Sequence, residues 1–175
     1  MGLRSENREL FRTMTAGCSI ISLLELVCTM RSIIIFIKRD WKNIRRSDYS
    51  DRRVLLVEDN DLNREIASEI IGMTGASVEI VENGREAVER IENASENWYD
   101  IVFMDVQMPV INGYEATAAI RALPGRRGQI PIIAMTANAF IEDIKNAKDV
   151  GMTAHIAKPL DMDKVVEVIA DCIQK

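Results

Sequence analysis

Five polar side chains, each at or beside the end of a short apolar run, suggest phosphate chemistry. The residues are Glu58, Asp59, Asp105, Thr136 and Lys158. Carboxylates bind hard cations, whereas hydroxyl and ammonium groups donate hydrogen bonds to phosphate oxygens. The set is therefore typical of a site that handles a phosphoryl group with the help of a metal ion, provided that the fold brings the five residues together.

The three carboxylates predict a magnesium site. If the runs before Glu58 and Asp105 are neighbouring parallel strands, Glu58, Asp59 and Asp105 share one small patch. Like charges this close repel each other unless a cation or a proton intervenes, and ligand sets made only of oxygen favour Mg²⁺. Because aspartate is a known phosphoryl-accepting nucleophile, we expect a carboxylate of this patch to take the phosphate with Mg²⁺ as cofactor.

Thr136 and Lys158 are the expected donors to the phosphoryl oxygens. A hydroxyl and an ammonium group at the ends of neighbouring strands would each supply such a bond, and that of the ammonium is charge-assisted. The alternative roles are structural: Thr136 as the cap of the following helix, and Lys158 as a turn residue before Pro159.

Strands and helices must alternate to position these residues. Short apolar runs, each expected to be a strand, lie at 54–57, 77–81, 100–104, 130–135 and 154–157. The segments between them have amphipathic helical patterns, and in the first helix Leu62, Ile66, Ile70 and Met73 are expected to face the core. The alternation predicts an α/β fold, a doubly wound parallel sheet whose strands open into one crevice at their carboxyl ends.

Four motifs resemble response-regulator receiver domains, most closely those attached to hybrid sensor histidine kinases. They are V-L-L-V-E-D-N at 54–60, F-M-D-V-Q-M-P at 103–109, A-M-T-A-N at 134–138 and H-I-A-K-P at 155–159. All appear in the family's order, and the match spans about residues 52–173. The resemblance implies a flavodoxin-like (βα)5 sheet of strand order 2-1-3-4-5, with a receiver domain at 51–175. An N-terminal helix before it is expected from the pattern of the first fifty residues.

The same resemblance implies a phosphorelay function. Asp105 would accept a phosphoryl group from a histidine kinase or a histidine phosphotransfer protein. Asp59, Asp105 and the backbone carbonyl of Gln107 would hold Mg²⁺, with Glu58 assisting through water or directly. The domain would then be a signalling switch and not an enzyme acting on an external substrate.

Switching and signal lifetime are also implied by the resemblance. Thr136 would move toward the phosphate, and the aromatic position that follows its movement is His155, where the family more commonly has Tyr or Phe. A histidine there predicts weaker or pH-sensitive coupling. Gln107 and Asn138 occupy the places that tune hydrolysis of the acyl phosphate, and since neither carries a carboxylate base we expect slow to moderate self-dephosphorylation.

Other functions of similar folds fit less well. A phosphatase of the haloacid dehalogenase type needs a second aspartate where Gln107 stands. A nucleotide or flavin site needs a Gly- or Ser-rich loop after the first strand, where the chain has Glu58 and Asp59. A protein-binding module that never takes phosphate has no need of an intact set of polar residues at the strand ends.

The first fifty residues differ from the rest of the chain in charge and pattern. Residues 1–50 hold nine Lys/Arg and five Asp/Glu, whereas 51–175 hold 13 and 22. Apolar residues in 20–44 follow a heptad spacing, which favours a helix that forms a homodimer. Residues 16–37 with their basic flank also fit a membrane span, although Glu25 and Arg31 disfavour it. A leader, or a fragment of an upstream module, is the third alternative.

Composition limits the partners and the compartment. The acidic main domain offers no basic, aromatic-lined surface, so direct nucleic-acid binding is not expected. The three cysteines form no C-x-x-C pair and no metal-ligand spacing, which favours a reducing, cytoplasmic location, with membrane association only through the N-terminal segment.

Overall fold

The structure is a computed structural model that describes residues 48–137 and 141–173. In this part of the chain five strands form one parallel sheet of order β2-β1-β3-β4-β5, so the expected flavodoxin-like order is confirmed. The strands are β1 Arg53–Val57, β2 Ser77–Val81, β3 Ile101–Asp105, β4 Ile132–Thr136 and β5 Ala154–Ala157.

Helices connect the strands. They are α1 Asp61–Gly72, α2 Gly84–Asn93, α3 Gly113–Arg121, a 3-10 helix Gly125–Gln129, α4 Ile141–Asp149 and α5 Met162–Ile173. Asparagine side chains cap the first three α-helices by accepting the backbone N–H of the third helical residue, which explains why these helices begin where they do.

The central strands are buried on both faces. Alternate residues of β1, β3 and β4 point to opposite sides, as in any strand, and form two apolar layers. Leu55, Val102 and Ile132 belong to the layer that includes α2 and α3 residues, whereas Leu56 and Phe103 belong to the layer shared with α1 and α5. The two layers hold the sheet rigidly, and so fix the ends of its strands.

Three strand bounds and one helix face differ from the sequence expectations. Strand β1 begins one residue earlier, at Arg53, and β3 lies one residue later, at Ile101–Asp105. Strand β4 begins at Ile132 and not at residue 130, because Ile130 ends the 3-10 helix and Pro131 has no N–H to donate to the sheet. In α1 the buried residues are Ala67 and Ile71, and the four residues expected to face the core are only half-buried. The small side chain of Ala67 allows that face of the helix to lie against the sheet.

Several predictions concern residues outside the described part. The N-terminal helix within 1–50, the dimer helix through 20–44 and the membrane span at 16–37 all belong to that group. Across residues 48–137 and 141–173, none of the helices has the length and apolar character needed to cross a bilayer. Near the start of the described residues, the Tyr49 N–H donates to the Thr74 carbonyl at 3.1 Å.

Candidate metal and phosphoryl site

The carboxyl ends of four strands bring the polar residues together. Glu58 directly follows β1, Asp105 ends β3, Thr136 ends β4 and Lys158 directly follows β5. The strands are paired in parallel register, with Asp105 opposite a β4 residue and Thr136 opposite a β5 residue. The four side chains therefore lie at one edge of the sheet, as its topology requires.

The ammonium group of Lys158 bridges two carboxylates. Its Nζ lies 2.6 Å from Oε2 of Glu58 and 2.7 Å from Oδ2 of Asp105. The Lys158 backbone N–H donates to the Thr136 carbonyl at 2.7 Å, and the Lys158–Pro159 peptide bond is cis. Since Glu58 is only 1% exposed and the Lys158 side chain 19%, water screens these ion pairs little.

Asp105 is a buried carboxylate with both oxygens engaged. The residue is 5% exposed; its Oδ2 contacts Lys158, and its Oδ1 accepts the Gln107 N–H at 3.1 Å. Burial raises the pKa of the Asp105 carboxyl above its usual value, and the nearby charge of Glu58 adds to the rise. Lys158 and the Gln107 N–H oppose that rise. Burial and the charge of Glu58 therefore disfavour a charge on this carboxyl group, whereas Lys158 and the Gln107 N–H favour it.

The acidic cluster has the donors that a hard divalent cation requires. Glu58, Asp59 and Asp105 each offer a carboxylate oxygen, and these atoms lie within 4.8 Å of one another. The donors are all oxygen, which suits Mg²⁺ or Ca²⁺ and disfavours softer metals. The Lys158 ammonium contacts two of the three carboxylates, Glu58 and Asp105, so the carboxylates outnumber it and a cation would offset their mutual repulsion.

The loop after β3 is tightly packed against the Asp105 backbone. A Cβ at Gly113 would lie 2.2 Å from the Asp105 carbonyl oxygen, so only glycine fits there. Within the loop the Ile111 N–H donates to the Pro109 carbonyl at 2.9 Å, which forces a tight turn with a φ of 71° at Val110. Val110 is 73% exposed, and it therefore presents an apolar side chain to solvent.

The remaining predicted residues vary in how closely they approach this cluster. Thr136 is 6% exposed at the end of β4. Gln107 is exposed and enters the site through its backbone. His155 lies opposite Ala134 in the register of β5, and its side chain is exposed. Asn138 lies outside the described residues.

Sequence reasoning missed two residues in the first turn of α1. The Asn63 side chain donates to Oε1 of Glu58 at 3.0 Å. The Arg64 guanidinium donates to the backbone carbonyls of Glu58 at 3.1 Å and of Asp59 at 3.2 Å. The sequence contained a sign of this role at residue 63. The third helical residue is asparagine in α1, whereas it is glutamate in α2 and α3.

Known proteins share these features. The chain is similar to probable histidine kinase 2 of Oryza sativa subsp. indica, with 39% identity over 128 residues, 66% of this chain and 12% of the kinase. It is also similar to hybrid signal transduction histidine kinase L of Dictyostelium discoideum, with 36% identity over 123 residues, 67% of this chain and 7% of the kinase. The chain thus matches only a small part of each relative's length.

Solved structures show the same domain. The receiver domain of a sensor histidine kinase from Pseudomonas aeruginosa PAO1, with a magnesium ion in its active site cleft, is 35% identical with a TM-score of 0.64. The alignment covers 71% of this chain and 98% of that one. The receiver domain of Saccharomyces cerevisiae Ssk1, crystallised with the phosphotransfer protein Ypd1, is 26% identical with a TM-score of 0.62, covering 70% and 89%.

A family model gives the same result over most of the chain. The model of the response regulator receiver domain matches residues 54–170, which include every strand of the sheet except the first residue of β1. The resemblance noted in the sequence is thereby confirmed. The chain belongs to the response regulator receiver domains, the phosphate-accepting signalling domains of two-component phosphorelays.

Proposed function

We propose that Asp105 is the phosphate acceptor of this receiver domain, with a histidine kinase or a histidine phosphotransfer protein as donor. The observation that supports this most is the position of Asp105, a buried carboxylate at a strand end, 2.7 Å from the Lys158 ammonium and within a cluster of acidic oxygens. A nucleophilic carboxylate, a cationic donor and a metal-binding patch are together what phosphoryl transfer requires.

The positions of Lys158 and the Gln107 N–H suggest how the phosphoryl group is transferred to Asp105. One Asp105 oxygen attacks the phosphorus of the donor's phosphohistidine, and the new O–P bond forms as the P–N bond breaks. The electron pair returns to the imidazole nitrogen, which then takes up a proton, and the product is an acyl phosphate. Lys158 passes from the carboxylate oxygen to a phosphoryl oxygen, and the Gln107 N–H keeps the other carboxylate oxygen in place.

The acidic cluster fits Mg²⁺ as cofactor. Asp59, Asp105 and the Gln107 carbonyl would hold the ion, with Glu58 assisting through water or directly. When bound, Mg²⁺ supplies positive charge that offsets both the carboxylates and the oxygens of the transferring phosphoryl group. The crowding of three carboxylates within 4.8 Å supports this assignment.

Thr136 and His155 would carry the signal away from the site. Thr136 is buried at the end of β4, within reach of an incoming phosphoryl group by the geometry of the strand ends. His155 is exposed on the edge strand β5, from where its ring would turn inward when Thr136 moves. We propose that this movement changes the affinity of the domain for its partners.

The lifetime of the acyl phosphate would depend on Gln107 and Asn138. Neither side chain can act as a general base toward water, so the phosphorylated form is proposed to decay slowly to moderately and without turnover of an external substrate. The receiver domain is proposed to occupy 51–175, with the N-terminal segment 1–50 as an appendage, and to act in the cytoplasm.

A mass measurement tests the acceptor. The protein is incubated with Mg²⁺ and a small phosphodonor such as acetyl phosphate, and its intact mass is followed with time. We expect wild type to gain the mass of one phosphoryl group, and Asp105→Ala to gain none because its nucleophile is missing. Asp149→Ala, which removes an exposed aspartate at the end of α4, is the matched control and should behave as wild type.

Two results would contradict the proposal. Equal phosphate uptake by wild type and Asp105→Ala would place the acceptor elsewhere. Uptake by wild type that persists unchanged after Mg²⁺ is removed with a chelator would contradict the role of the acidic cluster.

A further inference from the structure

Helix α1 departs from a capping pattern that two other helices of this chain share. All three begin with an asparagine cap: Asn60, Asn83 and Asn112. In α2 and α3 the third helical residue is a glutamate that turns back to the cap. Glu115 accepts the cap's backbone N–H at 3.0 Å, and Glu86 accepts the cap's side-chain amide at 2.8 Å. In α1 the third helical residue is Asn63.

The Asn63 side chain leaves the cap and turns toward the acidic cluster. Its backbone N–H donates to Asn60 Oδ1 at 3.0 Å, so the cap itself is intact. Its amide Nδ2 donates to Oε1 of Glu58, also at 3.0 Å. A glutamate at this position would place a further carboxylate beside Glu58, whereas an amide supplies the N–H that a buried carboxylate needs.

A continuous series of hydrogen bonds connects Asn63 to the phosphate acceptor. Glu58 accepts Asn63 at one carboxylate oxygen and Lys158 at the other, the second at 2.6 Å, and Lys158 then contacts Asp105 at 2.7 Å. Glu58 is 1% exposed, so water does not compete for its first oxygen. The orientation of Glu58, and with it the place of the Lys158 ammonium, depends on the Asn63 amide.

We infer that Asn63 is a positioning residue for phosphoryl transfer: it fixes the Glu58 carboxylate, which in turn holds Lys158 at Asp105 and directs oxygens toward the metal. This inference rests on the proposed function. Asn63 touches neither the acceptor nor the phosphoryl group, and it acts entirely through Glu58. Where α2 and α3 have a glutamate that bonds to the cap, α1 has an asparagine whose side chain bonds to Glu58 instead.

Single substitutions at residue 63 test this role. The phosphorylation rate is measured with a small phosphodonor at saturating Mg²⁺, and Mg²⁺ affinity is measured separately from the rise in Tm without phosphodonor. Since outer-shell partners typically contribute 10- to 100-fold, we expect Asn63→Ala to lower both the rate and the affinity by about 10-fold. Asn63→Gln keeps an amide donor and should restore most of the loss.

The control is an asparagine of similar exposure that serves only its own helix. Asn93 lies at the end of α2, where its amide donates to the Glu89 carbonyl at 2.7 Å. Asn93→Ala should leave rate and Mg²⁺ affinity unchanged. Asn63→Ala should keep the α1 cap, which uses the backbone of residue 63, but it leaves one buried Glu58 oxygen without its donor and should lower the free energy of unfolding more than Asn93→Ala does.

A double-mutant cycle with Glu58→Ala tests whether Asn63 acts through Glu58. We expect Asn63→Ala to change little once Glu58 is gone. An undiminished loss in that background, or an Asn63→Ala variant that is phosphorylated as fast as wild type, would overturn the inference while leaving the proposed function intact. A wild-type protein that takes up no phosphate would overturn both.

Discussion

Charged side chains at the two ends of the parallel strands, called here the carboxyl edge and the amino edge, are handled in opposite ways. At the carboxyl edge, three carboxylates face a single ammonium group, and the pKa of Asp105 is raised. At the amino edge, arginines find partners within the chain: Arg52 pairs with Asp100 at 3.0 Å, and Arg127 donates to the Ala94 carbonyl. Arg121 donates to three carbonyls.

If the proposed function is correct, this difference separates the residues that stabilise the domain from those that take part in phosphoryl transfer. Charges satisfied inside the chain contribute to stability, and their loss leaves buried groups unpaired. Charges in excess, such as the carboxylates of the acidic cluster, lower stability until a cation or a phosphoryl group arrives. Substitutions at the carboxyl edge should therefore change phosphorylation more than stability, and substitutions at the amino edge should do the reverse.

The largest effect is expected for Lys158→Ala. The ammonium is the cationic donor nearest Asp105, and removal of one such donor typically slows a reaction by about 100-fold or more. The measurement is the rate of phosphate uptake from a small phosphodonor with Mg²⁺ present. Lys164→Ala is the control, because Lys164 forms an exposed pair with Glu167 on α5 and should not affect the rate. A Lys158→Ala rate within twofold of wild type, roughly the scatter that a surface change produces, would contradict the role of the carboxyl edge.

At the amino edge, Arg121→Met should have the largest effect. Arg121 ends α3, and its guanidinium donates to the carbonyls of Gly128, Ile130 and Gly151, which precede β4 and β5. Burial lowers the pKa of Arg121, as expected for a cation in a poorly hydrated place. Hydrogen bonds from a charged group contribute about 1.5–3 kcal/mol, so we expect the free energy of unfolding in urea to fall by about 3 kcal/mol.

The control for Arg121 is an arginine that is exposed. Arg85→Met on α2 removes the same charge and should leave stability nearly unchanged. At a temperature where both variants are folded, their phosphorylation rates should equal that of wild type. An Arg121→Met variant that is as stable as wild type but is phosphorylated more slowly would show that the amino edge also contributes to phosphorylation.

The sequence predicted the residues at the carboxyl edge better than those at the amino edge. Residues at the carboxyl edge could be predicted because a parallel sheet places the ends of its strands together, whatever the side-chain rotamers are. The role of Asn63 could not, since it depends on which way a helical side chain turns. Arg121 resembles any solvated arginine on an amphipathic helix. Its role depends on two loops that arrive from elsewhere in the chain.

The fold, like the site, could be predicted only in part. The strand order follows from the motifs of the family, and the apolar runs at the sheet centre are long enough to identify them as strands. The inward face of α1 was predicted only in part: Ile70 packs against the buried layer as expected, but the fully buried residues are Ala67 and Ile71, because the pattern alone does not choose between adjacent stripes.

A smaller, opposite effect is expected for Asp105→Asn. Burial raises the pKa of Asp105, so the folded protein binds this proton more tightly than the unfolded chain does, and the charged carboxylate destabilises the fold at neutral pH. We expect the amide to raise the free energy of unfolding by about 1 kcal/mol at neutral pH. The gain should shrink as the pH falls through the raised pKa, because the wild-type carboxyl then becomes neutral too.

Urea unfolding at neutral and mildly acidic pH measures this difference. Mg²⁺ should stabilise wild type and narrow the gap, since the bound cation offsets the same repulsion that the amide removes. An Asp105→Asn variant less stable than wild type at neutral pH would mean that the Lys158 pair outweighs the penalty of burial.

The smallest effect is expected at Arg53. Its guanidinium carbon lies 3.6 Å from the centre of the Trp98 ring, and both residues are exposed at the amino edge. Exposed cation–π pairs contribute about 0.5–1 kcal/mol, so Arg53→Met should lower the free energy of unfolding by about 0.5 kcal/mol, and Arg53→Lys by less because it keeps a cation. In a Trp41→Phe background, where Trp98 is the sole tryptophan, the emission reports the contact. Because Arg53 and the acidic cluster lie at opposite ends of β1, the phosphorylation rate should not change. A changed rate would mean that β1 transmits strain from one edge to the other, and that the division between a folding edge and a functional edge is incomplete.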